Sequence, residues 1–137
     1  MIKSLLRTLL GVAVSLVVGF ALLAAVEMFS EAVYPAPPDA KENMELMCAH
    51  VARYPDWILA AVVPMWGLTA FLCTWIARRL GTAGSGWVVG LLLAAALGSN
   101  VVMLPYATCF RIVILVVVPA ALVVGYRRAS RDRREAA

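Results

Sequence analysis

Charged residues divide this chain into long apolar runs. Nineteen uncharged residues separate Arg7 from Glu27, twenty-one separate Asp56 from Arg78, and thirty-one separate Arg79 from Arg111. A helix needs about 20 predominantly apolar residues to cross the hydrocarbon layer, so each run predicts one membrane-spanning helix. The last run, Ile112 to Tyr126, has only fifteen uncharged residues. It reaches spanning length by borrowing Phe110 and Arg111, whose guanidinium can snorkel to the interface. The pattern therefore predicts an all-α integral membrane four-helix bundle with spans at about 5–28, 57–77, 84–104 and 109–126. An outer loop at 35–56 and a basic tail at 127–137 complete it.

Prolines, glycines and short polar residues subdivide these runs. Pro35 disfavours helical geometry at the residue before it, so the first helix should project past Met28 towards Tyr34. Within the loop, Asp39 with Glu42 reads as a capping box. Met44, Met47, Cys48 and Val51 then recur at helical spacing, predicting a short amphipathic helix that lies on the membrane with its Met-rich face down. A Met-lined recognition surface is the functional alternative. Pro64 should kink the second span. The segment GTAGSG reads as a glycine-rich turn without the lysine of a phosphate loop. Pro105 ends the third span, and the short reversal after it predicts that spans three and four lie antiparallel and adjacent. Pro119 falls inside the fourth span, where neighbouring groups can satisfy the freed carbonyl.

Small residues form stripes at four-residue spacing: Thr82, Gly86, Gly90, Ala94 and Gly98 in the third span, and Gly11, Ser15 and Gly19 in the first. Such stripes let helix backbones approach closely. Packing within the bundle is favoured over a homo-oligomer interface, and spacing alone leaves both open. Asn100 should find a hydrogen bond across helices.

Composition agrees with the pattern: 64% of the 137 residues are hydrophobic, 15% are charged, and the mean hydropathy is +0.90. Charge adds orientation. Lys3, Arg7, Arg78, Arg79, Arg127, Arg128, Arg131, Arg133 and Arg134, nine of the twelve bases, fall on the side of the termini, leaving Lys41, Arg53 and Arg111 opposite. By the positive-inside rule both termini are cytoplasmic. The arginine-rich tail is better read as a topology determinant meeting anionic lipid than as a nucleic-acid site. The first run exceeds the apolar core of a secretory signal and ends in no clean cleavage motif, so it reads as a retained span.

Candidate chemistry is sparse. The outer-face polar residues to consider are Glu27, Glu31, His50, Asn100 and Arg111. Glu27, Ser30, Glu31 and Tyr34 share one helix face, and the topology puts Arg111 at a depth where it could pair with Glu27 and close the outer end of the bundle. Glu27, Glu31 and His50 could in principle approach a metal, but no ligand spacing supports one, and no metal or cofactor is implied. A single histidine and no nucleophile motif name no enzyme. Cys73 reads as a small buried residue, whereas an oxidising outer compartment would allow Cys48 and Cys109 to pair.

Several short stretches carry a resemblance: Glu27, the run Tyr34–Pro35 to Pro37–Pro38–Asp39, Tyr54–Pro55, Trp66–Gly67, Pro105, and Pro119–Ala120–Ala121–Leu122 with Gly125. With these the chain resembles a family of small uncharacterised bacterial four-helix membrane proteins over nearly its whole length. The resemblance implies an inner-membrane location and four spans, and supplies no activity. Family members tend to carry Pro-His-Pro after the third span, where this chain reads Pro105, Tyr106 and Ala107. Two functions follow as expectations. The first is a structural or accessory protein that contacts itself or a larger membrane complex through its helices. The second is a small oligomeric transporter or channel with an outer-facing acidic site.

Overall fold

The computed structural model describes residues 2–135. Five α-helices follow in order: α1 (Ile2–Val33), α2 (Met44–Val51), α3 (Asp56–Leu80), α4 (Ala83–Met103) and α5 (Thr108–Glu135), with a single 3-10 turn at Pro38–Lys41. Among the described residues there is no strand, and α1, α3, α4 and α5 are each long and apolar enough to cross a membrane. The chain is an all-α bundle of four spanning helices. Two ends can be distinguished: the loop end, with residues 34–55 and 104–107, and the termini end, with the α3–α4 turn and both termini.

Helix α3 is the centre. Half of its most apolar stretch is buried, against 22% in α1 and α5, and α1, α4 and α5 all pack on it. Toward the loop end, Ile58, Leu59, Val62 and Trp66 of α3 meet Val26, Leu97, Val101, Phe110 and Ile114. Trp66 and Phe110 contact edge to face at 6.0 Å. Toward the termini end, Cys73 and Ala77 meet Val89 and Leu93. The expected close pairing of spans three and four is thin: α4 and α5 are joined by four residues yet touch sparsely, because each packs on α3.

Small residues set the helix separations. Gly11, Ser15 and Gly19 are all buried. A Cβ on Gly11 would lie 2.7 Å from the Gly81 backbone, and one on Gly19 would lie 3.0 Å from Cys73 Sγ. The Ser15 hydroxyl donates to the Cys73 carbonyl. This stripe seats α1 on α3. The α4 stripe faces inward only in its first half: a Cβ on Gly86 would meet the Tyr126 ring at 3.0 Å, whereas at Gly98 there is nothing within 4 Å. A close approach to another helix's backbone lies elsewhere, at Gly125, where an added Cβ would come within 2.5 Å of the Phe71 carbonyl oxygen.

Three local expectations are corrected. The loop helix is capped by Asn43, whose side-chain oxygen accepts from Glu45 N (2.9 Å) and Leu46 N (3.4 Å). Asp39 is drawn into the 3-10 turn opened by Pro38, where its carbonyl accepts from Glu42 N. The GTAGSG segment turns only at Gly81–Thr82; reciprocal Thr82–Ser85 capping starts α4 at Ala83. The basic tail continues α5 as helix to Glu135. Trp75 Nε1 donates to Asp132 Oδ2 at 3.0 Å, Arg78 Nε donates to Ser130 Oγ at 3.3 Å, and Ala129 is fully buried.

Candidate functional site

At the loop end α1 and α4 do not close on each other. The small-residue contact of α1 with α3 ends at Gly19, and the side chains beyond it, Leu23, Val26 and Glu27, border a cleft of about 700 Å³. Leu59, Val62 and Trp66 of α3 floor the cleft, Ala96, Leu97, Asn100 and Met103 of α4 form the facing wall, and Ala40 to Met47 overhang it. Below it, between Leu16, Gly19 and Phe20 of α1 and Val89, Leu92 and Leu93 of α4, lies a second groove of about 480 Å³. Leu23 and Ala96 line both, so the two adjoin one another between the loop end and the middle of the bundle. Its deep half is apolar, and its one hydroxyl, Ser15, is bonded to the Cys73 carbonyl.

The mouth is polar. Glu27, Ser30, Lys41, Glu42, Tyr54, Asn100 and Tyr106 border it. Tyr106 donates to Asn100 Oδ1 at 3.1 Å, meeting the expectation that Asn100 would find a partner, though from the following turn and not from another span. Burial, with a smaller contribution from Tyr54, pushes the Tyr106 phenol up to about 12. Burial also raises the Tyr54 phenol, followed by the charges of Glu31, Tyr34 and Glu27. Both hydroxyls therefore stay protonated donors.

The expected Glu27–Arg111 pair is not formed. Arg111 Nη2 donates instead to the Leu104 carbonyl at 2.9 Å, closing the C-terminal end of α4. An arginine seven residues past an unsatisfied helix-end carbonyl reaches it without leaving its own chain segment. Among the described residues the single ion pair is Arg128–Asp132, at the opposite end. Glu27 and Glu31 are exposed and free of ion pairs.

His50 is buried among aromatic rings. Its ring stacks on Tyr34 (4.7 Å, 17°) and meets the edge of Tyr54 (5.2 Å). This aromatic trio holds α2 against the end of α1 and the start of α3, and leaves His50 Nε2 buried without a partner. Glu27, Glu31 and His50 are thus not assembled, and among the described residues no three His, Cys, Asp or Glu side chains are placed to hold a metal. Cys48 and Cys109 are free thiols, half-buried and exposed; at the start of α5 the buried position is taken by the next residue, Phe110. On α2 Val51 is buried and Met47 and Cys48 are half-buried, while Met44 stays 59% exposed at the edge of the cleft.

Of the sequence-selected polar residues, Glu27 and Asn100 line the cleft, and Glu31, His50 and Arg111 surround it without entering. Trp66, Tyr54 and Tyr106 were missing from that set. Trp66 carried a signal: it lies nine residues inside a span already anchored by Trp57, about 14 Å deeper than the interface where tryptophan is enriched. No protein-family model, curated protein or solved structure matches the chain, so the site is read from its geometry.

Proposed function

We propose that this chain is a small non-catalytic accessory protein of the bacterial inner membrane, seated with both termini in the cytoplasm, and that it binds an amphiphile in the cleft between α1 and α4. The adjacency of a cleft with a polar mouth and an apolar groove, which share Leu23 and Ala96 as wall residues, carries this reading. A head group would sit among Glu27, Asn100 and the two tyrosines, and an apolar tail would follow Leu23 and Ala96 down between the helices. The arginine bias toward the termini end supports the orientation, and the family resemblance supports the bacterial inner membrane. The α1 stripe and the Gly86 half of the α4 stripe are occupied within the chain, and the reading needs no homo-oligomer. A transport function would draw on the free Glu27 carboxylate. The groove beyond Leu23, however, offers no further free polar group to continue a pathway.

The test fills the passage. Ala96 is exposed and borders both cavities, so Ala96→Trp should block the path while leaving the bundle folded. Protein extracted gently and analysed by native mass spectrometry should retain an amphiphile as wild type and lose at least about nine-tenths of it as Ala96→Trp, a tenfold weakening. Equal retention by the two proteins would remove the proposal.

A further inference from the structure

The opposite end of the molecule gathers arginines from three helices. Arg7 lies one residue before Thr8, whose hydroxyl is 2.9 Å from that of Thr82, and Gly11 abuts Gly81; the start of α1 is thereby fixed at the α3–α4 turn. Arg78 and Arg79 end α3 beside that turn. Arg133 follows Asp132, which is held to α3 through Trp75. Arg133 accordingly stands within the fields of Arg7, Arg78 and Arg79.

Crowding like charges is unfavourable, and among the described residues no carboxylate pairs with Arg7, Arg78, Arg79 or Arg133. The acids here are Asp132 and Glu135. Asp132 accepts from Trp75 and pairs with Arg128 at 3.4 Å, and Glu135 makes no ion pair among the described residues. Arg78 is positioned without a carboxylate: its Nε donates to Ser130 and its guanidinium lies 5.1 Å over the Tyr126 ring. That leaves the terminal nitrogens of a partly buried, oriented fork. Such a fork matches the paired oxygens of a phosphate better than a freely rotating surface charge does. The positive-inside rule requires bases near the span ends but not their convergence from three helices.

We propose that Arg7, Arg78, Arg79 and Arg133 form a binding site for the phosphodiester head group of an anionic phospholipid. The choice of a lipid over a free polyanion rests on the setting. Trp87 is 60% exposed, packs against Tyr126 at 5.4 Å, and lies one position from Gly86, across which Arg78 and Tyr126 meet. An aromatic shelf at interface depth therefore adjoins the arginines, and acyl chains can lie on it while the phosphate is held above. This site is independent of the cleft at the loop end.

The experiment is native mass spectrometry of the full chain with phosphatidylglycerol or phosphatidylethanolamine of matched acyl chains. Two triple variants remove equal charge: Arg78→Gln with Arg79→Gln and Arg133→Gln, and Arg127→Gln with Arg131→Gln and Arg134→Gln. The wild-type protein and the second variant should retain phosphatidylglycerol about tenfold better than phosphatidylethanolamine, and the first variant should lose that preference. Equal loss in both variants would show only diffuse attraction and overturn the site. Displacement of the lipid by equimolar inorganic pyrophosphate would overturn the lipid assignment. Should the first triple variant not fold, Arg133→Gln against Arg131→Gln makes the same comparison with one charge each, and the same equality overturns it.

Discussion

The most consequential single positions are those where a backbone leaves no room for a side chain, and they are not all the ones that a four-residue spacing selects. Gly98 belongs to the α4 stripe by sequence, yet a Cβ there meets nothing within 4 Å. Gly125 belongs to no stripe, yet a Cβ there would lie 2.5 Å from the Phe71 carbonyl oxygen and 3.3 Å from that residue's Cα. Those atoms are backbone of the central helix and cannot rotate aside. Gly125→Leu should therefore push α5 off α3 and destabilise the bundle by about 1–3 kcal/mol or more. Gly98→Ala should be neutral or stabilising by up to about 1 kcal/mol, since alanine is the better helix former. The midpoint of unfolding in mixed micelles of increasing sodium dodecyl sulfate reads both, and equal midpoints for the two variants would refute the distinction. Spacing shows that small residues share a face, whereas which face meets backbone depends on how three helices cross. For the same reason Arg111 was legible as an interface residue but not as the cap of α4, since the Leu104 carbonyl competes with Glu27 only once the turn is folded.

Helix boundaries were the most legible feature, because bilayer thickness and charge placement both constrain them. The spans drawn at 57–77 and 84–104 lie within three residues of α3 and α4, and α1 runs on past Met28 to Val33. The last spanning helix differs most: Arg127 to Glu135 read as a basic tail beyond the span, but Trp75 and Arg78 supply partners that only the folded α3 presents, and the tail stays helical. The loop helix α2 was also legible by periodicity, while its start was not. The sequence offers both Asp39 and Asn43 as caps, and Pro37–Pro38 commits Asp39 to the 3-10 turn. Asn43 alone then accepts from Glu45 N and Leu46 N, the second and third residues of an eight-residue helix too short to persist by propensity. Asn43→Ala should cost α2 about 1 kcal/mol of local stability. Amide exchange at Met47 to Val51 should accelerate about fivefold while exchange within α3 is unchanged. Unaltered exchange in α2 would mean that the Tyr34–His50–Tyr54 cluster, and not the cap, holds the helix in place.

For the whole molecule the governing feature is asymmetry: exposed acids and an open cleft at one end, and at the other closed packing and arginines of which, among the described residues, only Arg128 is ion-paired. Both proposed sites take their biological meaning from which end faces the cytoplasm, and the chain contains its own reporters for that. Cys109 is exposed at the loop end, Cys48 is half-buried beside it, and Cys73 is buried mid-span under Gly19. In intact bacterial spheroplasts a membrane-impermeant maleimide should modify Cys109 rapidly, Cys48 slowly and Cys73 not at all, with the number of labels read by mass spectrometry. Running the reaction with and without a prior reductant separates orientation from pairing: label appearing only after reduction would show Cys48 and Cys109 joined outside, with the orientation upheld. Label confined to inside-out vesicles would instead put the loop end in the cytoplasm. The nine bases at the termini end would then face outward against the positive-inside rule. The cleft would draw its amphiphile from the inner leaflet, and the arginine site would meet the outer one. Sidedness therefore decides the source of both ligands, even though the geometry of each site is unchanged by it.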